Sequence, residues 1–152
     1  MEERTDIDGL RRLLTGLVGA PVAEVHVPPT GGGAFGLRLR LPALRWLGVN
    51  AVAWRLDRLP AAAGDGQGAV LAASGDREGR LAADLAVLTG REITSVELLA
   101  PGWEAHIRFG ELELTVFPLY HRTPDALPDW TLRLPSHRLL VAGPGPRWAV
   151  TG

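Results

Sequence analysis

One short pattern occurs twice in the chain, and this repetition constrains the fold more than any other feature of the sequence. Segments 17–27 and 88–98 align at a fixed offset of 71 residues, and the apolar positions that precede them match at the same offset. A glycine that follows an apolar helical face and precedes a strand is typical of a helix C-terminus. Each copy therefore predicts a helix that ends at Gly19 or Gly90 and is followed by a strand.

After the glycine, both copies carry alternating apolar stretches separated by turn residues, which is the pattern of half-buried strands. We predict a helix and four strands in each copy, with the connection 42–50 forming a turn. The chain is then an α+β fold made by tandem duplication (α-β-β-β-β twice), with two helices and a mainly antiparallel sheet related by a pseudo-twofold axis. The predicted half-domains, residues 1–73 and 74–152, form one compact unit, because each alone leaves an apolar sheet face uncovered.

Composition argues against several classes of function. The 152-residue chain has no cysteine, so disulfides, cysteine-ligated zinc and thiol catalysis are excluded. Its net charge is −1, without the basic excess that binding to phosphate backbones requires, so we expect no nucleic-acid partner. Apolar runs are too short for a membrane span and the N-terminus is charged, so we expect a cytoplasmic protein with no membrane partner.

The longest polar connection lies between Tyr120 and Trp130, and it gathers most of the chemically able side chains. In an enzyme, His121 would act as a base oriented by Asp125 or Asp129. Under this alternative the chain is a small-ligand-binding protein or a hydrolase-like enzyme, whose ligand contacts Tyr120, His121, Arg122 and Trp130. The same residues also suit a solvated connection in which the aspartates stabilise turns.

The remaining histidines do not have the spacing of a metal site. His26 and His106 alternate with apolar residues, so we predict that both lie on exposed sheet faces. No two histidines have the spacing of metal ligands on one helix face, and the glycine-rich stretch 31–33 is not followed by the lysine of a phosphate-binding loop. We therefore predict no metal and no cofactor.

Tryptophan is abundant for a chain of this length, with five residues. Trp46, Trp103 and Trp148 lie in or beside predicted loops, where large rings often anchor a partner. The stretches 69–73 and 139–142 lack charge and would form edges that a second copy covers. The favoured function is a non-catalytic bacterial protein-binding or assembly module (an adaptor, a chaperone-like protein or an inhibitor of a partner) that also forms a homodimer.

Overall fold

The computed structural model describes residues 2–28, 36–43, 45–50, 53–60, 68–76, 78–118 and 128–152. These residues contain two helices and eleven strands, which confirms the predicted mixture of both. In chain order the elements are α1 Ile7–Thr15, β1 Glu24–His26, β2 Leu37–Leu41, β3 Arg45–Val49, β4 Ala53–Arg58, β5 Ala69–Ala73, α2 Glu78–Leu85, β6 Ser95–Leu99, β7 Glu104–Phe109, β8 Leu112–Phe117, β9 Trp130–Arg133, β10 Leu139–Ala142 and β11 Trp148–Thr151.

The strands form two sheets, and each sheet takes strands from both halves of the chain. The six-stranded sheet has the order β1-β2-β3-β9-β10-β11, and the five-stranded sheet has the order β5-β4-β8-β7-β6. Every named strand pairing of the described residues is antiparallel, as predicted. Because β3 pairs with β9 and β4 pairs with β8, each sheet depends on pairing between distant parts of the chain.

A single hydrophobic core joins the two sheets and both helices. Strand alternation places every second residue on the inner face of its sheet, and the residues between them on the outer face. The largest fully buried side chains come from both sheets and both helices and include Leu10, Leu37, Leu39, Trp54, Leu56, Leu81, Leu85 and Phe109. Polar side chains of the central strands are therefore concentrated on the two outer faces.

The predicted positive φ angles of Gly19 and Gly90 are confirmed, at 90° and 85°. Glycine adopts this left-handed conformation without the steric cost that a Cβ atom brings. The helices themselves end earlier than predicted, α1 at Thr15 with Gly16 as its C-cap and α2 at Leu85, which a short 3-10 turn follows. The two connections that follow pair with each other. The Gly19 amide donates to the Ile93 carbonyl, and the Gly90 amide donates to the Val22 carbonyl, each at 2.7 Å. The two donors, Gly19 and Gly90, are 71 residues apart in the chain, and so are the two acceptors, Val22 and Ile93.

The prediction of a turn at 42–50 was wrong, because Arg45–Val49 forms β3 inside the six-stranded sheet. Its last three residues are all buried, so β3 lacks the alternation by which the other strands were recognised. Gly48 also weakens the strand pattern, because glycine is unfavourable in a strand interior. The first half of the chain therefore has five strands (β1–β5) and the second half has six (β6–β11), instead of the four predicted for each.

The prediction of an exposed edge at 139–142 was also wrong. β10 pairs with β9 on one side and with β11 on the other. Trp148, predicted to lie in or beside a loop, instead begins β11, the outermost strand of this sheet. β5 does lie at an edge of its sheet, as predicted.

Candidate functional site

An open groove of about 390 Å³ lies on the outer face of the six-stranded sheet. Its lining comes from five strands and consists of His26, Arg38, Trp46, Gly48, Thr131, Arg133 and Leu139. Register places the first row straight across the sheet, since His26 is opposite Arg38, Arg38 is opposite Gly48, and Gly48 is opposite Thr131. Trp46, Arg133 and Leu139 lie in the adjacent row. The groove therefore depends on long-range pairing between β3 and β9.

Gly48 forms the floor of the groove, because it is the member of the first row that has no side chain. Glycine in a strand interior costs roughly 0.5–1 kcal/mol relative to alanine, and it often marks a close approach of a ligand or of other atoms. A Cβ atom added at Gly48 would lie 2.9 Å from the Oγ1 atom of Thr131. The packing of Thr131 across the strand pair therefore favours glycine at this position, and the open floor follows.

Positive charge predominates around the groove. Within the described part of the chain, Arg38 and Arg133 form no ion pair, whereas the Arg40 Nε atom lies 3.2 Å from a Glu24 carboxylate oxygen. The charged residues among the outward-facing strand positions of this sheet are these three arginines and Glu24, which give a net charge of +2 when His26 is neutral. The groove is thus suited to a negatively charged ligand.

The outer face of the five-stranded sheet is organised around Glu113. Its carboxylate accepts a hydrogen bond from His106 Nδ1 at 3.0 Å and another from Arg108 Nε at 2.7 Å. Burial by itself raises the pKa of the Glu113 carboxyl group, but the hydrogen bonds and charges of His106 and Arg108 together hold this pKa below its ordinary value. The hydrogen bond and charge of Glu113 in turn raise the pKa of Arg108. These groups stabilise one another in their charged or hydrogen-bonded forms.

Two further groups near His106 bear on whether this cluster performs chemistry. The buried Nε2 atom of His106 makes no hydrogen bond to any described residue, and the Glu104 Oε1 atom lies 3.5 Å away. The Thr115 hydroxyl lies 3.4 Å from His106 Nδ1, but Thr115 is only 1% exposed. A general base and a nucleophile must contact the reacting atoms of a substrate. The covered position of Glu113 and Thr115 therefore favours a structural role.

Most of the loop site predicted from the sequence falls outside the described residues, namely Tyr120, His121, Arg122 and Asp125. Its two described members are 4% (Asp129) and 5% (Trp130) exposed. The Asp129 amide donates to the Ala142 carbonyl at 2.8 Å, so the backbone of Asp129 is fixed against β10. Trp130 lies in β9 and contributes to the core. The catalytic and ligand-binding roles of the loop remain predictions.

The three tryptophans predicted as interface anchors lie in different environments. Trp103 is 7% exposed and Trp148 is 3% exposed. The Trp148 Nε1 atom donates to the Asp6 carbonyl at 3.0 Å, and the Arg4 guanidinium lies 4.9 Å from the centre of its ring. Trp46 is only partly buried and lines the groove. The interface assignment remains a prediction for all three, and Trp46 offers the most accessible ring.

The residues that were predicted to face outward do so in part. His26 is exposed, as predicted, whereas His106 is half-buried within its cluster. The alternation of 37–41 already indicated that Arg38 points away from the core. Sequence reasoning missed Gly48, Thr131 and Arg133 as neighbours of Arg38, because they belong to strands whose pairing the sequence did not reveal.

Among the described residues, no group of three His, Cys, Asp or Glu side chains is arranged to hold a metal ion. The same residues include no helix with the length and hydropathy of a membrane span, since α1 has nine residues and α2 has eight. Comparison of the chain with family models, with curated proteins and with solved structures gave no match. Its function must therefore be argued from its own geometry.

Proposed function

We propose that this chain is a non-catalytic binding module that holds a partner protein on the outer face of its six-stranded sheet. One observation carries the proposal: Arg38 and Arg133 border a groove of about 390 Å³ and have no acidic partner among the described residues. Complementary charge steers association and sets specificity at protein interfaces. Trp46 and the arginines are also of the residue types that contribute most to interface energy.

The contrasting chemistry of the other sheet supports a non-catalytic function. Glu113, the carboxylate of the most buried ion cluster, is bonded to His106 and Arg108 and is 8% exposed. Among the described residues that line the groove, His26 is the one proton-transfer group, and none is a carboxylate. Acid–base catalysis usually needs a base whose orientation and pKa are set by a neighbouring group. The groove therefore offers recognition groups in place of a catalytic pair.

Selection from a displayed peptide library tests the proposal. The expected binders lose at least about tenfold in affinity when Arg38 and Arg133 are both changed to glutamate, since reversal replaces attraction by repulsion at two contacts. Arg80→Glu is the matched control, because Arg80 lies on α2 and forms an exposed pair with Asp84 at 3.2 Å. Binders that ignore the Arg38→Glu/Arg133→Glu change, or a library that yields no binder, would contradict the proposal.

We also propose that the two halves of the chain arose by duplication and are related by a pseudo-twofold axis. Three features support this. The order β1-β2-β3-β9-β10 becomes β6-β7-β8-β4-β5 when each strand is exchanged with its counterpart in the other half. The paired bonds at Gly19 and Gly90 exchange under the same operation. An isolated bridge joins Pro21 to Glu92, which are themselves 71 residues apart. Least-squares superposition of the two sheets in an experimental structure tests the proposal.

The homodimer and the cytoplasmic location remain predictions. In support of self-association, β5 is an uncharged edge strand, and Val70 on it is 63% exposed. Light scattering at micromolar concentration distinguishes the two states, because a monomer keeps a mass of 16.3 kDa on concentration. A constant monomer mass would remove the dimer while leaving the groove proposal intact.

A further inference from the structure

We propose that the segment held in the groove is acidic and extended, with two carboxylates spaced to reach Arg38 and Arg133. The inference rests on the proposed function and specifies its partner: a stretch of polypeptide with the pattern acid, any residue, apolar residue, any residue, acid. The pattern follows from the charge of the groove, from the separation of the two arginines and from the surface between them.

Charge selects an acidic partner. Arg38 and Arg133 are exposed, and no carboxylate of the described residues pairs with either. Arginine holds a carboxylate through two parallel hydrogen bonds, which gives direction as well as attraction. The one acid among the outward-facing strand residues of this sheet, Glu24, lies 3.2 Å from Arg40. Among the described residues, two arginines on this face are therefore left without a carboxylate, and we infer that a partner supplies it.

Separation selects the spacing of the acids. Arg38 lies on β2 and Arg133 lies on β9, with β3 between them, and the two residues belong to adjacent outward rows. Strands lie about 4.8 Å apart and successive same-face residues about 7 Å apart, so the two Cα atoms are roughly 12 Å apart. Four residues of extended chain span roughly 13 Å. Acids at the first and fifth positions of an extended segment therefore match the two arginines.

The surface between the arginines selects the central residue. Gly48 has no side chain to rise from β3, although the Thr131 hydroxyl lies beside it, and Trp46 lies in the next row of the same strand. In an extended segment the first, third and fifth side chains point to the same side. The third side chain would therefore lie over Gly48 against Trp46, where an apolar group such as leucine removes aromatic surface from water.

A defined peptide tests the inference. We would titrate a twelve-residue peptide, with Glu-Ser-Leu-Ser-Glu at its centre and Gly-Ser flanks, into isotope-labelled protein and follow the Gly48 and Thr131 amide signals. A control peptide in which glutamine replaces both glutamates should bind at least about tenfold more weakly, as expected for the loss of two charge-assisted contacts. The double variant Arg38→Gln/Arg133→Gln should lose about the same factor, whereas Arg80→Gln should not change the affinity.

Four outcomes would overturn the inference. Equal binding of the glutamine peptide would remove the acidic requirement, and if library binders still depended on Arg38 and Arg133 the proposed function would survive. If free glutarate displaces the peptide at the same concentration as the peptide itself, the groove would be assigned to a small dicarboxylate. Self-association of the protein at low salt that the Arg38→Gln/Arg133→Gln change abolishes would assign the groove to a second copy of the chain. The outer face of the five-stranded sheet of that copy carries four acids and two arginines on its strands. Absence of any shift at millimolar peptide would likewise contradict it.

Discussion

The outer faces of the two sheets can be compared position by position, because β1-β2-β3-β9 in one sheet occupies the same order as β6-β7-β8-β4 in the other. The first outward row of the six-stranded sheet is His26, Arg38, Gly48 and Thr131. The corresponding row of the five-stranded sheet is Glu97, His106, Thr115 and Arg55. The third position of the row is thus Gly48 in the six-stranded sheet and Thr115 in the five-stranded sheet.

The two faces differ in how their charges are satisfied. On the five-stranded face the Arg55 Nε atom lies 2.8 Å from Asp57, and Glu113 bonds both His106 and Arg108. On the six-stranded face, Trp46 occupies the place that corresponds to Glu113, and Arg38 and Arg133 have no acid among the described residues. Similar backbones therefore support one face whose polar groups bond to one another and another on which two arginines have no acidic partner among the described residues.

The largest effect that separates the faces is expected from Glu113→Ala. Removing this carboxylate leaves His106 and Arg108 without their shared partner, and we expect a loss of about 2 kcal/mol in the free energy of unfolding. The loss is limited because the Arg108 side chain is 49% exposed, so water can hydrate its guanidinium group once the carboxylate is removed. Urea denaturation measures the change, and Arg38→Ala is the control, expected to lie within about 0.5 kcal/mol of wild type. Equal losses for both variants would erase the distinction between the faces.

The contrast between the faces also explains how much of the fold the sequence could predict. Helices and most strands were recognised because their apolar residues recur at helical spacing or alternate, as in Leu37–Leu41. β3 was missed because Trp46, Leu47, Gly48 and Val49 do not alternate between apolar and polar residues: its outward positions carry a tryptophan and a glycine instead of the polar residues that mark a half-exposed strand.

The site was less predictable than the fold for a physical reason. Arg38 and Arg133 are 95 residues apart in the chain and meet only because β3 pairs with both β2 and β9. Such pairing depends on the whole core and leaves no local pattern near either arginine. The Tyr120 to Trp130 loop attracted attention because its functional groups are close in sequence. The described members Asp129 and Trp130 are instead buried beside β10 and in the core.

A second prediction examines the feature that the two halves share. Gly19→Ala and Gly90→Ala should each lower the free energy of unfolding by about 1 kcal/mol, because alanine is unfavourable at their φ angles of 90° and 85°. An added Cβ atom meets nothing within 4 Å at either position, so the cost is conformational and should be similar for both. Chemical denaturation of the two variants in parallel checks this. A difference of more than about 1 kcal/mol between them would show that the two junctions are not equivalent.

The third prediction concerns acid. The pKa of Glu113 is lower in the folded protein, so its contribution to stability is present above the unfolded pKa of about 4.3 and is lost as pH falls through the lower folded pKa. The stability difference between wild type and Glu113→Gln should therefore shrink below about pH 4.3. The pKa of Glu111 is also lowered, by a backbone hydrogen bond and by Arg91, and this effect is common to both proteins. Thermal unfolding as a function of pH tests the prediction, and a constant difference down to pH 2 would contradict it.

The smallest expected effect tests the groove face itself. Arg38 lies near Arg40 and Arg133 but has no acidic partner among the described residues, so Arg38→Gln should leave stability unchanged or raise it by a few tenths of a kcal/mol. The gain should disappear at high salt, because exposed charges are then screened. Arg108→Gln provides the matched change on the other face, where loss of its 2.7 Å bond to Glu113 should destabilise the protein by about 1 kcal/mol. Urea denaturation of both variants at low and high salt gives the measurement. A loss of 1 kcal/mol or more from Arg38→Gln would mean that this arginine stabilises the fold. The proposal that Arg38 serves to bind a partner would then lose its support.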